Sequence, residues 1–328
     1  MKSLKGKNIV VTGGAGFIGS NLALDFEQKG ANVMAVDIFR TGERFENGNL
    51  KSFGHYKNLL DFEGIIIEGD INSEKMLKEI ERFKPDAIYH QAAISDTTAQ
   101  DQSLMMRTNL NSFIDLLEIC KDTGSKMIYA SSGATYGNAK SPQKVWECEE
   151  PRNVYGFSKL MMDRVAKKYY DKLHIVGLRY FNVYGKNEYF KEKTASMVLQ
   201  FGLQILSGNS PKLFEGSDKI KRDFVYVKDI VNANYLALFA KKNGVYNAAT
   251  GVARSFQDIA DILQRELGTS YENVYIKNPY AKQYQFFTQA DIESTKKELE
   301  YEPEFSLEDG IKDYIPEIKK LYESEVNA

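Results

Sequence analysis

Tyr155 and Lys159 lie four positions apart in the run NVYGFSK. If that run is helical, both side chains lie on one face, because residues four apart are neighbours on a helix surface. A nearby ammonium can lower the pKa of a phenol by Coulomb attraction, and the phenol then becomes a usable acid and base. The spacing predicts proton transfer at an alcohol carbon. Taken singly, Tyr155 could be a packed aromatic residue and Lys159 a solvated helix lysine.

Two serines, Ser131 and Ser132, follow the fifth apolar run that is typical of a strand. Hydroxyl groups at the carboxyl end of a parallel strand face the ligand crevice of an open α/β sheet. Ser132 could therefore hold a substrate hydroxyl while Tyr155 moves its proton. For this position alone, a serine that caps the next loop is the alternative.

A glycine turn with Gly13, Gly14, Gly16 and Gly19 follows the apolar strand Asn8–Thr12. Glycine permits the tight turn and the close approach of backbone to a pyrophosphate, and the next helix offers free N–H groups at its positive end. A plain strand–helix turn is the alternative. The dinucleotide interpretation is favoured because a strand precedes the turn, a helical pattern follows it and an acidic residue ends the next strand.

That acidic residue, Asp37, favours a free ribose 2′-hydroxyl and hence NAD. Arg40, Arg44 and Lys57 follow in the same loop and could pair with a 2′-phosphate. For each of these cations alone, a solvated loop charge is the alternative. The cluster favours NADP, with NAD left open.

Short apolar strands alternate with helical segments in the first half, which indicates a Rossmann-type, doubly wound parallel sheet. The rhythm changes after residue 181, and a smaller discontinuous α+β substrate lobe fits the irregular second half. We predict a dinucleotide-binding domain of residues 1–181 plus about 229–250, and a substrate lobe of about 182–228 and 251–328. The predicted strands are Asn8–Thr12, Ala31–Val36, Ile65–Glu68, Asp86–His90, Met127–Ala130, His174–Arg179 and Val245–Asn247.

The composition of the 328 residues is that of a globular protein, with 43% hydrophobic and 27% charged residues. A net charge of -2 without a polybasic block argues against nucleic acid or an anionic membrane as partner. Two cysteines and three scattered histidines have no metal-ligand spacing, so no metal is expected. The start shows no signal-peptide pattern, and a cytoplasmic location is expected.

The glycine turn together with Ser132, Tyr155 and Lys159 resembles the extended short-chain dehydrogenase/reductase family, in particular its nucleotide-sugar modifying enzymes. Gln91, Ala92 and Ala93 are similar to the family's segment beside the nicotinamide, and Asn109 to its structural asparagine. The run RYFNVYG at 179–185 resembles the strand that leads into the sugar pocket.

Longer strings resemble the ADP-glyceromanno-heptose 6-epimerases of this family. They are DTT at 96–98, SPKLFEGS at 210–217, KRDFVYV at 221–227 and YQFFTQAD at 284–291. The resemblance implies conversion of ADP-D-glycero-D-manno-heptose to its L-glycero epimer at C6″, by transient oxidation and re-reduction with a bound nicotinamide cofactor. It also implies a product for lipopolysaccharide or related surface heptose, and a homo-oligomer, often a ring of five subunits.

The same resemblance implies roles for individual residues. Lys191, in a charged loop that alone is typical of solvated surface, matches the suggested second acid/base beside Tyr155. Ile38 and Lys193 depart from the asparagine and the small hydroxyl residue of the relatives. The implied cofactor residues are Gly13, Gly16, Phe17, Ile18, Gly19, Asp37, Ile38, Arg44, Lys57, Gln91, Ala92, Ala93, Asn109, Lys159 and Val183. The implied substrate residues are Ser132, Asn182, Lys193, Gln200, Phe214, Glu215, Gly216, Ser217, Arg222 and Tyr284.

Arg222 could clamp a substrate diphosphate, because a guanidinium binds phosphate in a fork, or it could be a surface arginine. Tyr284 could contact the sugar nucleotide or pack in the core. A UDP-hexose 4-epimerase would use Ser132, Tyr155 and Lys159 without Lys191. A 4,6-dehydratase is disfavoured because the serine lacks an adjoining Asp-Glu pair. A non-catalytic dinucleotide sensor would not need the Tyr–Lys pair.

Overall fold

The computed structural model describes residues 2–277 and 286–327. The first part alternates strands and helices, and the later part adds short strands and further helices. The elements are β1 (Asn8–Thr12), α1 (Phe17–Gln28), β2 (Asn32–Asp37), β3 (Ile65–Glu68), α2 (Glu74–Arg82), β4 (Ala87–His90), α3 (Gln102–Met106), α4 (Ser112–Thr123), β5 (Lys126–Ser132), α5 (Val154–Lys167), β6 (Ile175–Tyr180), β7 (Asn182–Tyr184), α6 (Met197–Leu206), β8 (Lys212–Phe214), β9 (Lys221–Tyr226), α7 (Val227–Ala237), β10 (Gly244–Ala248), β11 (Ala253–Ser255), α8 (Phe256–Leu267), β12 (Val274–Ile276), α9 (Glu293–Leu299) and α10 (Leu307–Leu321).

The main sheet has seven strands in the order β10-β6-β5-β4-β1-β2-β3, and all the pairs are parallel. The order reverses between β1 and β4, where ligands bind in open α/β sheets. The strand β10 joins the edge of β6, with Gly244 opposite Val176. This topology confirms the Rossmann-type fold, including the predicted return of the chain to the sheet.

Alternate residues of the central strands face two helical layers, because side chains along a strand point to opposite faces. Ile9 and Val11 of β1 pack with α1 and α7 on one face. Val10 packs with α2, α4 and α5 on the other face. Buried apolar residues fill the space between the sheet and each helical layer. This packing holds in place the carboxyl ends of the strands, where the glycine turn and Ser132 lie.

A second core lies beside the main sheet and is built from the helices α6, α8 and α10, against the three-stranded sheet β11-β9-β7. Val198, Leu263 and Ile318 are fully or nearly fully buried there. A two-stranded sheet pairs β12 with β8. The assignment of this region to substrate binding stays a prediction.

The predicted elements agree with the structure to within one or two residues at most ends. The strands β1 and β3 have the predicted bounds. In the part of the chain that the structure describes, no helix is long and apolar enough to cross a membrane. Over the same residues, no group of three or more His, Cys, Asp or Glu side chains could hold a metal ion.

Candidate active site

The glycine turn between β1 and α1 leaves no room for side chains. Gly13 has a φ of +68°, which L residues rarely adopt, and a Cβ there would lie 2.7 Å from the backbone nitrogen of Ala92. A Cβ at Gly19 would lie 2.0 Å from the carbonyl oxygen of Gly13. Gly16 is the N-cap of α1 and provides no side-chain cap. The bare N-terminus of α1 therefore opens towards the crevice, as an anion-binding turn requires.

Asp37, at the end of β2, is buried and bonded to the backbone of this turn. Its carboxylate accepts hydrogen bonds from the amides of Ala15 at 3.0 Å and Phe39 at 2.9 Å. Burial raises the pKa of Asp37, and these backbone amides oppose the rise. One carboxylate thus ties the glycine turn to the loop after β2.

The helix α5 carries the Tyr–Lys pair, and Asn153 fixes where that helix begins. The Asn153 side chain accepts a hydrogen bond from the amide of Gly156 at 2.8 Å, a standard N-cap. Tyr155 therefore lies in the first turn and Lys159 in the second. The Lys159 ammonium donates to the carbonyl of Ala130 in β5 at 2.8 Å and lies 5.9 Å from the Tyr155 ring centre.

The pKa values of this pair differ in part from the prediction. Burial lowers the pKa of Lys159 to about 8, with Asp163 acting in the opposite direction. Burial raises the pKa of Tyr155, and a hydrogen bond with Ser132 opposes the rise. The net shift of the phenol pKa is upward, against the predicted direction, because desolvation outweighs the hydrogen bond with Ser132 and the ammonium is bonded to Ala130.

Lys191 lies in a short 3-10 helical segment, Tyr189–Thr194, and faces the same crevice. Its ammonium is 5.2 Å from the ring centre of Phe17 in the first turn of α1. Burial lowers the pKa of Lys191, and the Glu188 carboxylate acts in the opposite direction. Glu188 is itself fully buried and accepts hydrogen bonds from the amides of Gly185 at 3.0 Å and Ser196 at 2.6 Å.

One cavity of about 370 Å³ brings the four predicted catalytic residues together with the glycine turn. Its lining also includes Asp70, Thr108 and Phe181, which the sequence did not single out. The predicted residues along it are Gly13, Gly16, Phe17, Ile18, Gly19, Asp37, Ile38, Gln91, Ala92, Ala93, Ser132, Tyr155, Lys159, Val183 and Lys191.

Three predicted cofactor residues do not line this cavity. Arg44 donates to Glu192 at 3.1 Å, and Lys57 donates to Glu325 at 2.6 Å. Asn109 is fully buried and bonds both the amide and the carbonyl of Ile94, which fits the structural role that the resemblance implies. Whether the two cations contact a cofactor stays a prediction.

Ser132 lies in the crevice, and the other predicted substrate residues that the structure describes lie between β7 and β9. Asn182 and Lys193 are exposed, and Gln200 lines a neighbouring cavity on the outer side of the Lys191 segment. Arg222 in β9 is 6% exposed, and its guanidinium lies 5.9 Å from the Phe256 ring centre.

The segment that follows β8 holds the remaining predicted substrate residues. Phe214 is half-buried, Glu215 and Gly216 are exposed, and Ser217 is buried. Tyr284 lies outside the described residues.

The sequence analysis did not identify a buried network of charged residues that is centred on Asp163 of α5. The Asp163 carboxylate accepts from Tyr129 at 2.9 Å, from Ser131 at 3.0 Å and from Arg179 at 2.9 Å. Arg179 also pairs with Glu149 at 2.6 Å. A signal was present, since Asp163 is four residues after Lys159 and continues the same helix face.

Residues 9–249 match the NAD dependent epimerase/dehydratase family. The chain belongs to this family. Membership of a family and a fold do not by themselves identify a reaction. Solved structures that are similar to this chain indicate which substrates its relatives bind.

The chain is similar to ADP-L-glycero-D-manno-heptose-6-epimerase from Helicobacter pylori, with 46% identity, a TM-score of 0.89, and coverage of 96% of this chain and 97% of the other. It is also similar to UDP-glucose 4-epimerase from Thermotoga maritima, solved with UDP-glucose, with 29% identity, a TM-score of 0.83, and coverage of 95% and 99%. A variant UDP-glucuronic acid 4-epimerase from Bacillus cereus, solved with a fluorinated UDP-sugar and NAD, has 27% identity, a TM-score of 0.81, and coverage of 96% and 100%. All three of these relatives bind or act on nucleotide sugars, as their names state.

Proposed function

We propose that this protein is a nucleotide-sugar epimerase that inverts C6″ of ADP-D-glycero-D-manno-heptose to give ADP-L-glycero-D-manno-heptose. The observation that carries the proposal is the presence of Lys191 in the cavity of Ser132, Tyr155 and Lys159. The similarity to the heptose epimerase over nearly the full length of both chains supports the same substrate.

The residues at the glycine turn fit a nicotinamide dinucleotide. A Cβ at Gly13 or Gly19 would clash with backbone atoms, so both positions require glycine. Because these glycines have no side chains, a pyrophosphate can approach the backbone of the turn closely. When bound, such a cofactor supplies an acceptor and donor of hydride. Gln91, Ala92 and Ala93 would lie along it, with Lys159 at the ribose next to the nicotinamide.

Tyr155 and Ser132 handle the proton at C6″ in one orientation of the substrate. Ser132 orients the reacting oxygen, and Tyr155 takes the hydroxyl proton as the carbonyl forms. The positive charge of Lys159 favours the ionised phenol in this step. Burial raises the pKa of the resting Tyr155, so the phenol must first release its own proton to solvent before it can accept the hydroxyl proton.

Lys191 serves the second orientation. Inversion requires the transient C6″ carbonyl to turn over, so that its other face is reduced, and the oxygen then lies away from Tyr155. Lys191 donates the proton there. Its lowered pKa makes it a better donor at neutral pH than an exposed lysine, because acid/base catalysis is most effective with a pKa near the working pH.

The second lobe would hold the nucleotide. We assign the diphosphate to Arg222 and the base and ribose to the segment Phe214 to Ser217, with Asn182, Lys193, Gln200 and Tyr284 towards the sugar. Its proposed extent is about 182–228 and 251–328. The product would supply surface heptose, and the enzyme would work in the cytoplasm as a homo-oligomer.

We propose NADP as the cofactor, with NAD as the alternative. Arg44 and Lys57 follow the strand that ends at Asp37, and each already has a carboxylate partner. The cofactor released on denaturation, identified by its absorbance and an enzymatic cycling assay, should be mainly NADP(H). Recovery of NAD(H) alone would show that Asp37, and not the two cations, determines which cofactor binds.

Turnover of ADP-D-glycero-D-manno-heptose, assayed beside UDP-glucose, tests the function directly. Lys191→Met and Tyr155→Phe should each lower kcat by about 10²–10⁴-fold with the cofactor still bound, because each removes a positioned proton donor. Lys186→Met is the matched control, since Lys186 is exposed in the same loop and outside the cavity lining.

The outcomes separate the proposal from its rivals. Normal turnover of heptose by Lys191→Met would remove the two-base mechanism. Turnover of UDP-glucose alone would identify a 4-epimerase. Cofactor binding with no turnover of either sugar would favour a dinucleotide sensor.

A further inference from the structure

Glu192, the residue after Lys191, has an unusual backbone. Its φ of 52° and ψ of -130° lie in a region that suits glycine, because a Cβ there crowds the backbone. Strained residues of this kind persist only where their surroundings hold them, and they cluster at functional sites. The strain therefore implies that other contacts hold Glu192 in place.

Two arginines of the loop after β2 provide those contacts. Arg44 donates to both carboxylate oxygens of Glu192, at 3.1 and 3.3 Å, and Arg40 pairs with the same carboxylate. These guanidiniums lower the pKa of Glu192 and so favour its charged form. Arg44 is also anchored within its own loop, where it donates to the carbonyl of Gly48 at 2.9 Å.

The same loop holds the Lys191 segment at a second point. The His55 ring stacks on Phe190, with ring centres 3.5 Å apart and planes within 5°. On the inner side, the segment begins at Glu188, whose buried carboxylate is bonded to Gly185 and Ser196. Lys191 thus lies between two sets of contacts. On the inner side, the buried Glu188 carboxylate anchors the segment. On the outer side, the loop after β2 holds Glu192 through Arg40 and Arg44, and we call these ion pairs the clamp.

We propose that Glu192 is a positioning residue, which holds the Lys191 ammonium in the cavity by binding Arg40 and Arg44. The loop that follows the Asp37 strand and the second acid/base are thereby connected through one carboxylate. This inference rests on the proposed function for its kinetic consequence, but the placement of Lys191 can be measured without substrate.

Two substitutions separate the clamp from the strain. Glu192→Gln keeps the size of the side chain and removes its charge. Glu192→Gly removes the clamp and relieves the backbone strain. Both should lower kcat for ADP-heptose by roughly 10²-fold, because a displacement of about 1 Å of a catalytic group has that effect. The KM and the bound cofactor should change little, and Glu192→Gly should melt no lower than the wild type.

Glu300 provides a matched control. It also has a positive φ, of 60°, and it pairs with Lys2 at 2.9 Å, but it lies at the end of α9, outside the cavity lining. Glu300→Gln and Glu300→Gly should leave kcat unchanged. If Glu192 only stabilised the fold, its variants would also keep a normal kcat, as the Glu300 variants should. A lower kcat in the Glu192 variants, without a lower melting temperature, therefore identifies a positioning role.

The pKa of Lys191 gives a second readout that needs no turnover. Reductive ¹³C-methylation and NMR titration, with the Lys191 signal assigned from Lys191→Arg, should give a lowered pKa in the wild type. In Glu192→Gln the pKa should rise towards its ordinary value, because a loosened segment exposes the amine. Glu188 remains in both proteins, so its attraction is common to them.

The results overturn either proposal separately. If the wild type does not epimerise ADP-heptose, the proposed function fails, while the titration still tests Glu192. If Lys191→Met is inactive and both Glu192 variants keep a normal kcat, only the positioning role fails. An unchanged Lys191 pKa in Glu192→Gln overturns the positioning role whatever the activity.

Discussion

Removal of the Asp163 carboxylate should destabilise the protein strongly. Asp163 and Arg179 have side chains with 0% exposure and form an ion pair at 2.9 Å. Asp163→Ala leaves this guanidinium with Glu149 as its remaining partner among the contacts described above. Breaking a buried pair by removing one partner costs about 3–5 kcal/mol, since the buried guanidinium then loses part of the charge compensation that it has in the wild type.

This free energy converts to a measurable shift in melting temperature. Each kcal/mol corresponds to about 2–4 °C for domains of 150–250 residues, and the lower value suits a longer chain. Asp163→Ala should therefore melt roughly 6–10 °C below the wild type, by calorimetry or circular dichroism. Because Asp163 also holds Ser131 beside Ser132, kcat should fall further than the fraction unfolded explains.

Asp313→Ala is the matched control, since Asp313 likewise accepts from a tyrosine, Tyr226, and pairs with a cation, Lys228, both at 2.7 Å. Its side chain is 37% exposed. Exposed ion pairs contribute about 0–1 kcal/mol, so this variant should melt within a few degrees of the wild type. If Asp163→Ala and Asp313→Ala melt together, burial does not determine the value of these contacts and the reasoning is refuted.

Three further predictions concern cofactor binding, catalysis and substrate binding. Gly19→Ala should yield protein without bound dinucleotide, measured by absorbance after denaturation, because its Cβ would lie 2.0 Å from the Gly13 carbonyl oxygen; full cofactor occupancy would contradict this. Burial lowers the pKa of Lys159 to about 8, so kcat should fall as the pH rises through that value and the ammonium loses its proton. A kcat that stays constant up to about pH 9.5 would show that catalysis does not need the positive charge of Lys159. Arg222→Ala should raise the KM for ADP-heptose roughly tenfold or more with the cofactor retained, because a charge-assisted bond contributes about 1.5–3 kcal/mol; release of cofactor would reassign Arg222.

The sequence was sufficient for features that depend on neighbouring residues. The glycine turn, the strand ends and the helical spacing of Tyr155 and Lys159 are local patterns, and the structure has them where they were predicted. The position of Lys191 was suggested only by resemblance, because its charged loop has no periodicity that predicts burial. The structure places this lysine in the crevice through Glu188, a buried acid that is also indistinguishable from a surface residue in the sequence.

Contacts between distant positions could not be predicted. Arg44 and Glu192 are 148 residues apart, and Lys57 and Glu325 are 268 apart. In the sequence, each cation is compatible with a phosphate ligand or with a solvated charge, since a single sequence does not reveal which carboxylates fold against it. The pKa of Tyr155 was predicted in the wrong direction for a similar reason, because desolvation depends on the whole surrounding structure.

The late arrival of β10 in the main sheet affects how the protein is made. All six residues of β6 are buried in the finished sheet, and their partner β10 follows about seventy positions later, with Val176 opposite Gly244. During synthesis on the ribosome, β6 is an unpaired apolar edge until those residues emerge, and such edges recruit other chains. Translation that stops between β6 and β10 should therefore give products that aggregate or bind chaperones.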